Sequence, residues 1–90
     1  MNDHHEHEIH VVVSYIGHEP WKHPFRPADT VHAVKVEAMT KGFDLEESAA
    51  GNYALQFSGG DLPEATTIGQ LGKNPLNVDL VLTKEPQKGK

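Results

Sequence analysis

No cysteine occurs among the 90 residues of this chain. Disulfide staples, a thiolate nucleophile and sulfur-ligated zinc are thereby excluded, and the fold must stand on packing alone. Basic residues are also scarce, with 8 Lys and Arg against 13 Asp and Glu for a formal charge of −5. Binding along a phosphate backbone needs Lys and Arg to neutralise it, so nucleic acid is not an expected partner. No apolar run approaches membrane-spanning length, and the opening MNDHHEHEIH has neither a basic start nor an apolar export segment. The expectation is a cytoplasmic protein without a membrane partner. Catalytic signatures are missing as well. Ser14, Ser48 and Ser58 sit on no nucleophile elbow, and the histidines show no recognisable triad order. Gly59-Gly60 and Gly69 with Gly72 do not follow a strand and open a long helix, so they form no phosphate-cradling loop. Neither an enzyme nor a cofactor is expected.

What the chain does have in excess is histidine, 7 in 90 residues. His4, His5 and His7 alternate with Asp3, Glu6 and Glu8, and neutral imidazoles bind zinc or nickel. A metal site needs ligands held in place by a fold, however, and residues 1–8 read as a disordered polar tail, so no metal ligands are assigned. Metal binding through this His-rich segment stands as an alternative function.

Order is expected over residues 9–83, which form one domain with one small core, followed by a flexible tail over 84–90. IHVVVSYIG alternates, with Ile9, Val11, Val13 and Tyr15 on one face and His10, Val12, Ser14 and Ile16 on the other, and predicts a first strand. In HEPWKHPFRPAD, prolines at 20, 24 and 27 each remove a backbone donor. Only an edge strand tolerates that, and Trp21 and Phe25 keep the period of two that turns them to the core. Pro27-Ala28-Asp29-Thr30 then prepares a helix over about Val31 to Lys41, with Thr30 as N-cap and Asp29 at the positive end of the dipole. Val31, Val34 and Ala38 make the inward stripe, and Gly42 is the expected left-handed exit. A polar connector over 44–52 leads to a third strand in NYALQF, which Gly59-Gly60 is expected to turn. Residues 61–77 suit a loop with one short helical turn after Thr66 or Thr67, and VDLVLT closes the sheet with Val78, Leu80 and Leu82 inward.

The order strand, strand, helix, strand, irregular loop, strand resembles the ubiquitin-like proteins, in bacterial forms of unassigned role above all. The residues that carry the resemblance are the ungapped hairpin from Ile9 to Thr30, the helix start Pro27-Ala28-Asp29-Thr30-Val31 with Val34-Lys35, the series Leu55, Phe57, Gly59, Leu62, Thr67 and Ile68, and the last strand VDLVL. It implies an α+β fold, the ubiquitin-like β-grasp, with a mixed four- to five-stranded sheet packed on one α-helix. It further implies a non-enzymatic protein that works as a protein modifier or interaction module.

By the same resemblance the aliphatic binding patch of the family corresponds to Ile16, Gln56 and Val81. The expected protein-binding face is then Val12, Ile16 and Val81 as its apolar part and Gln56 and Asp79 as its polar part, with edge-strand pairing as a second route. Gln56 and Asp79 weaken the aliphatic character. The terminal diglycine used for conjugation is absent, the chain ending EPQKGK, but removal of Lys90 would leave Gly89 terminal. Activating or conjugating enzymes would then join the expected protein partners. Lys35, on the inner side of the helix, either snorkels to the rim or pairs with Glu64 of the irregular loop, as the family's layout suggests. Trp21 either caps the core or anchors a partner, and burial of Trp21 and Phe25 in a larger assembly would make the chain a structural subunit.

Overall fold

The hydrophobic alternation of the strands and the helical stripe are realised in one sheet and one helix. The computed structural model describes residues 8–71 and 77–84. The elements are β1 (Ile9–Tyr15), β2 (Trp21–Phe25), α1 (Val31–Glu37), β3 (Tyr53–Phe57), β4 (Gly60–Asp61) and β5 (Asn77–Lys84), with 3-10 turns at Glu47–Asn52 and Ile68–Gln70. The sheet has five strands in the order β2-β1-β5-β3-β4. The central pair β1 and β5 is parallel, with Val11 opposite Val78 and Val13 opposite Leu80. The remaining pairs are antiparallel. This is the α+β β-grasp arrangement.

Period-two alternation places Ile9, Val11 and Val13 of β1 and Val78, Leu80 and Leu82 of β5 on one face, all buried. Val31, Val34 and Ala38 close over them from the helix side, joined by Met39, Phe43, Leu55, Ile68 and Leu71. A seven-residue helix with three valines is marginal in isolation, so α1 depends on its caps and on this packing.

The caps are complete. Thr30 Oγ1 accepts from the Ala33 N–H at 3.1 Å. The two preceding N–H groups find carbonyls in the irregular loop, Val31 bonding Thr66 at 2.7 Å and His32 bonding Glu64 at 3.1 Å. The loop is held from its other side by Ile68 N–H to Asp29 and Gly69 N–H to Pro27. Asp29 itself closes the turn before the helix, its carboxylate accepting from the Arg26 N–H at 2.8 Å. Gly69 lies so near Pro27 that a Cβ there would sit 2.9 Å from the proline Cβ and 3.1 Å from its carbonyl oxygen. Since that carbonyl is hydrogen-bonded backbone, Gly69→Ala is expected to cost about 1–3 kcal/mol by overpacking, read as a lower urea midpoint at unchanged m-value.

The helix exit differs from the sequence expectation. Past Glu37 the turns widen into a π-helical segment, Ala38–Gly42, in which the Phe43 N–H reaches back to Ala38 at 2.9 Å. Gly42 is not left-handed. The positive φ of 59° falls on Asp44, and Leu45 N–H then closes on the Met39 carbonyl at 2.7 Å. A short polar side chain tolerates that conformation. Glycine is needed at 42 for another reason, because Trp21 of the edge strand lies directly over it. The second hairpin also turns one residue earlier than expected. Ser58 and Gly59 carry positive φ of 54° and 85°, the two-residue turn that best matches strand twist, and Gly60 already pairs with Phe57.

Candidate functional site

The face of the sheet away from α1 is built by the residues that strand parity turns outward. On β1 these are His10, Val12 and Ser14, on β5 Asn77, Asp79, Val81 and Thr83, and on β3 Gln56. Register aligns them in rows. Val12 lies between Lys22 of β2 and Asp79 of β5, and Val81 lies between Ser14 of β1 and Gln56 of β3. Four of the five expected face residues, Val12, Gln56, Asp79 and Val81, therefore share one surface. Ile16 is placed differently from the sequence expectation: β1 stops at Tyr15, and Ile16 stands in the following turn, outside the paired rows and 89% exposed. It and Val81, 45% exposed, are the two large aliphatic side chains left to solvent among the described residues.

Among the described residues the face has one hydrogen bond between two of its side chains. Gln56 donates from Nε2 to Asp61 Oδ1 at 2.8 Å across the β3–β4 pair. Asp61 was not among the expected face residues. The signal that could have found it is the Ser58-Gly59 turn, since a two-residue loop there sets Gln56 opposite Asp61.

Lys35 and Glu64 lie together on the helix side. Lys35 is 1% exposed, and its Nζ donates to the Tyr53 carbonyl oxygen at 3.0 Å and to Glu64 Oε2. Glu64 Oε1 meets His32 Nδ1 at 2.7 Å. The ammonium thus does not snorkel; it is buried with a carboxylate and a backbone carbonyl for partners. The hydrogen bond from Lys35 holds the Glu64 carboxyl below the usual glutamate range, against desolvation and with help from His32. His32 is a third member that the sequence pattern does not single out, although its spacing of three from Lys35 puts both on one side of a helix. All three tie the helix to the loop, and the geometry is that of a structural clamp.

The remaining histidines are dispersed. His18 stacks on Tyr15 and His23 on Trp21, with ring centroids 5.0 and 5.3 Å apart. Among the described residues no group of three or more His, Asp or Glu side chains could hold a metal ion. His4, His5 and His7 lie outside the described residues, as does Gly89. Trp21 is half-buried and packs on the core edge-on to Phe25, with ring centroids 6.1 Å apart. Among the described residues no helix is long and apolar enough to cross a membrane.

Comparison with known proteins agrees with this architecture. Residues 10–85 match a protein family described as BilA ubiquitin-like domain 2. Among solved structures, the ubiquitin of Caldiarchaeum subterraneum is similar, with 24% identity and a TM-score of 0.66 over 91% of this chain and 99% of that one. A structure described as "Molecular Mimicry of SUMO promotes DNA repair" aligns with a TM-score of 0.70 at 14% identity, covering 89% of this chain and 95% of that one. A protein of Arabidopsis thaliana aligns with a TM-score of 0.66 at 16% identity, covering 91% and 92% respectively. At these identities the structural likeness shows the fold alone. No curated protein matches the chain in sequence.

Proposed function

The chain belongs to the BilA ubiquitin-like domain 2 family, and from that premise we propose that it is a non-enzymatic protein-interaction module whose outer sheet face docks a protein partner. The observation that carries this reading is the exposure of Ile16 and Val81. Val81 is left in water on the outer face with Val12 half-buried on the same face, and Ile16 is left in water in the turn that follows β1. In a chain where the other large aliphatic side chains among the described residues are withdrawn from solvent, such exposure favours a contact surface. Gln56 and Asp79 supply the polar margin that sets orientation.

The reading is tested by affinity capture from the source cells. A partner recovered with the wild-type chain should fall at least about tenfold with Ile16→Asp combined with Val81→Asp, because a charge placed on an apolar contact is costly. The control is Glu47→Lys, in the connector on the helix side. Partners held equally by all three chains would refute an interaction through this face. A modifier is the more specific form of the same reading. It requires removal of Lys90 and joining through Gly89 to a target, with activating and conjugating enzymes as partners. Intact mass of the native protein reads it: only the full-length chain, with no larger species surviving denaturation, excludes that form while leaving the interaction module standing.

A further inference from the structure

The charges around Val81 are carboxylates, and we infer that the partner of this face is a protein surface presenting an aliphatic anchor flanked by arginine or lysine. This rests on the interaction reading and gives its partner a chemistry. Val81 has Asp79 and Thr83 beside it along β5 and Ser14 and Gln56 beside it across the sheet. The Gln56 Nε2 is engaged by Asp61 Oδ1. Its own carbonyl oxygen, the second Asp61 oxygen and both oxygens of exposed Asp79 are then acceptors left open around Val81, beside the neutral donors of the second Gln56 N–H and the Ser14 hydroxyl, so the charged groups here are all carboxylates. The Thr83 hydroxyl is directed to the Ala54 carbonyl at 3.4 Å. Neither Asp79 nor Asp61 makes an ion pair among the described residues.

Lys22, the lysine of this surface among the described residues, stands apart from them. Lys22 on β2 is separated from Asp79 by the whole of β1, with Val12 between, roughly 10 Å at about 4.8 Å per strand. The face is thus polarised, with its positive edge at β2 and its carboxylates over β5 and β4.

A partner that covers Val81 must also cover or border Asp79, two residues away on the same side of β5. An apolar cover would strand that carboxylate without partners, and an acidic one would repel it. A guanidinium brings a fork of donors that fits two carboxylate oxygens, while an aliphatic side chain beside it fills the contact on Val81.

The test is titration of the ¹⁵N-labelled full chain with three synthetic amphipathic helical peptides. The first carries leucines flanked by arginines, the second replaces the arginines with glutamates, and the third replaces the leucines with serines. The first is expected to shift the amides of Ser14, Gln56 and Val81 with a Kd about tenfold tighter than either of the others. Asp61→Lys combined with Asp79→Lys is expected to reverse the order of the first two peptides. Equal binding of the arginine and glutamate peptides at this face would overturn the proposed partner chemistry and leave the interaction surface intact. Equal binding of the serine peptide, or shifts confined to the helix side, would overturn it as non-specific charge attraction. No shift with any peptide at millimolar concentration would overturn both readings.

Discussion

Glu64→Ala is expected to be among the most destabilising single changes in the chain, although half of that side chain is in water. The cost does not come from Glu64. It comes from Lys35, whose ammonium is 1% exposed and would keep only the Tyr53 carbonyl. Breaking a buried pair by removing one partner costs about 3–5 kcal/mol when the charge left behind is sealed off. Here Glu64 opens to solvent, so water can enter in its place, and about 2–3 kcal/mol is expected, a fall in Tm of ~10–20 °C for a domain of this size. Lys35→Met keeps the packing and leaves one carbonyl unpaired, so it should cost less, about 1–2 kcal/mol. In the double variant the two losses should not add. Coupling below about 0.5 kcal/mol in that cycle would show that the pair contributes nothing as a pair.

The same clamp has a pH signature. The folded pKa of Glu64 lies below its ordinary value, principally through the Lys35 hydrogen bond. A depressed carboxyl pKa stabilises the fold fully above the unfolded pKa, about 4.3 for glutamate, and the contribution is lost as pH falls through the lower folded value. Thermal midpoints from pH 7 to 2 should therefore fall more steeply below about pH 5 in the wild type than in Lys35→Met/Glu64→Gln. Parallel curves would remove Glu64 from the acid response.

The second large effect is a reversal of sign at Gly42. In an exposed helical position glycine to alanine stabilises by about 0.5–1 kcal/mol. At Gly42 the new methyl would lie 2.5 Å from Trp21 Cγ and 2.9 Å from its Cβ. Those atoms are near the backbone of a paired strand and cannot swing away as a flexible chain end would. Overpacking of this kind costs about 1–3 kcal/mol, so Gly42→Ala should destabilise. In a Trp21→Ala background the obstruction is gone, and the same change should become neutral or stabilising. Equal effects in both backgrounds would refute the contact.

Much of this architecture is legible in the residue pattern. Alternation over Ile9–Tyr15 and Val78–Leu82 is a statement about which side of a strand meets water, and it holds whatever lies across the sheet. Prolines at 20, 24 and 27 limit the second strand to an edge for a reason internal to the backbone. Thr30 as N-cap is equally local. The helix exit was not legible, because Gly42 satisfies two different demands, left-handed φ and absence of a Cβ, and the pattern cannot say which applies. Trp21, twenty-one residues earlier in the chain, decides it. The polar pairing of the face escaped for a similar reason. Gln56 and Asp61 meet through the register of a hairpin whose turn falls on Ser58-Gly59, one residue from the pair of glycines that attracts attention in the sequence.

By itself, then, the amino-acid sequence determined the order of β1, β2, α1, β3 and β5, the inward and outward faces of β1 and β5, and the start of α1, while the short strand β4 and the 3-10 turn at Glu47–Asn52 were not among its expectations. Each of these follows from backbone sterics or from the partition of side chains between water and core over a few neighbouring residues. Only the tertiary structure decided that Lys35 is buried and bound to Tyr53 and Glu64. It alone decided that His32 completes that clamp, that Gly42 makes room for Trp21, and that the carboxylates of the outer face gather on one side of Val12. These depend on distances between segments far apart in the chain, where burial turns a single charge or methyl group from an indifferent feature into a costly one.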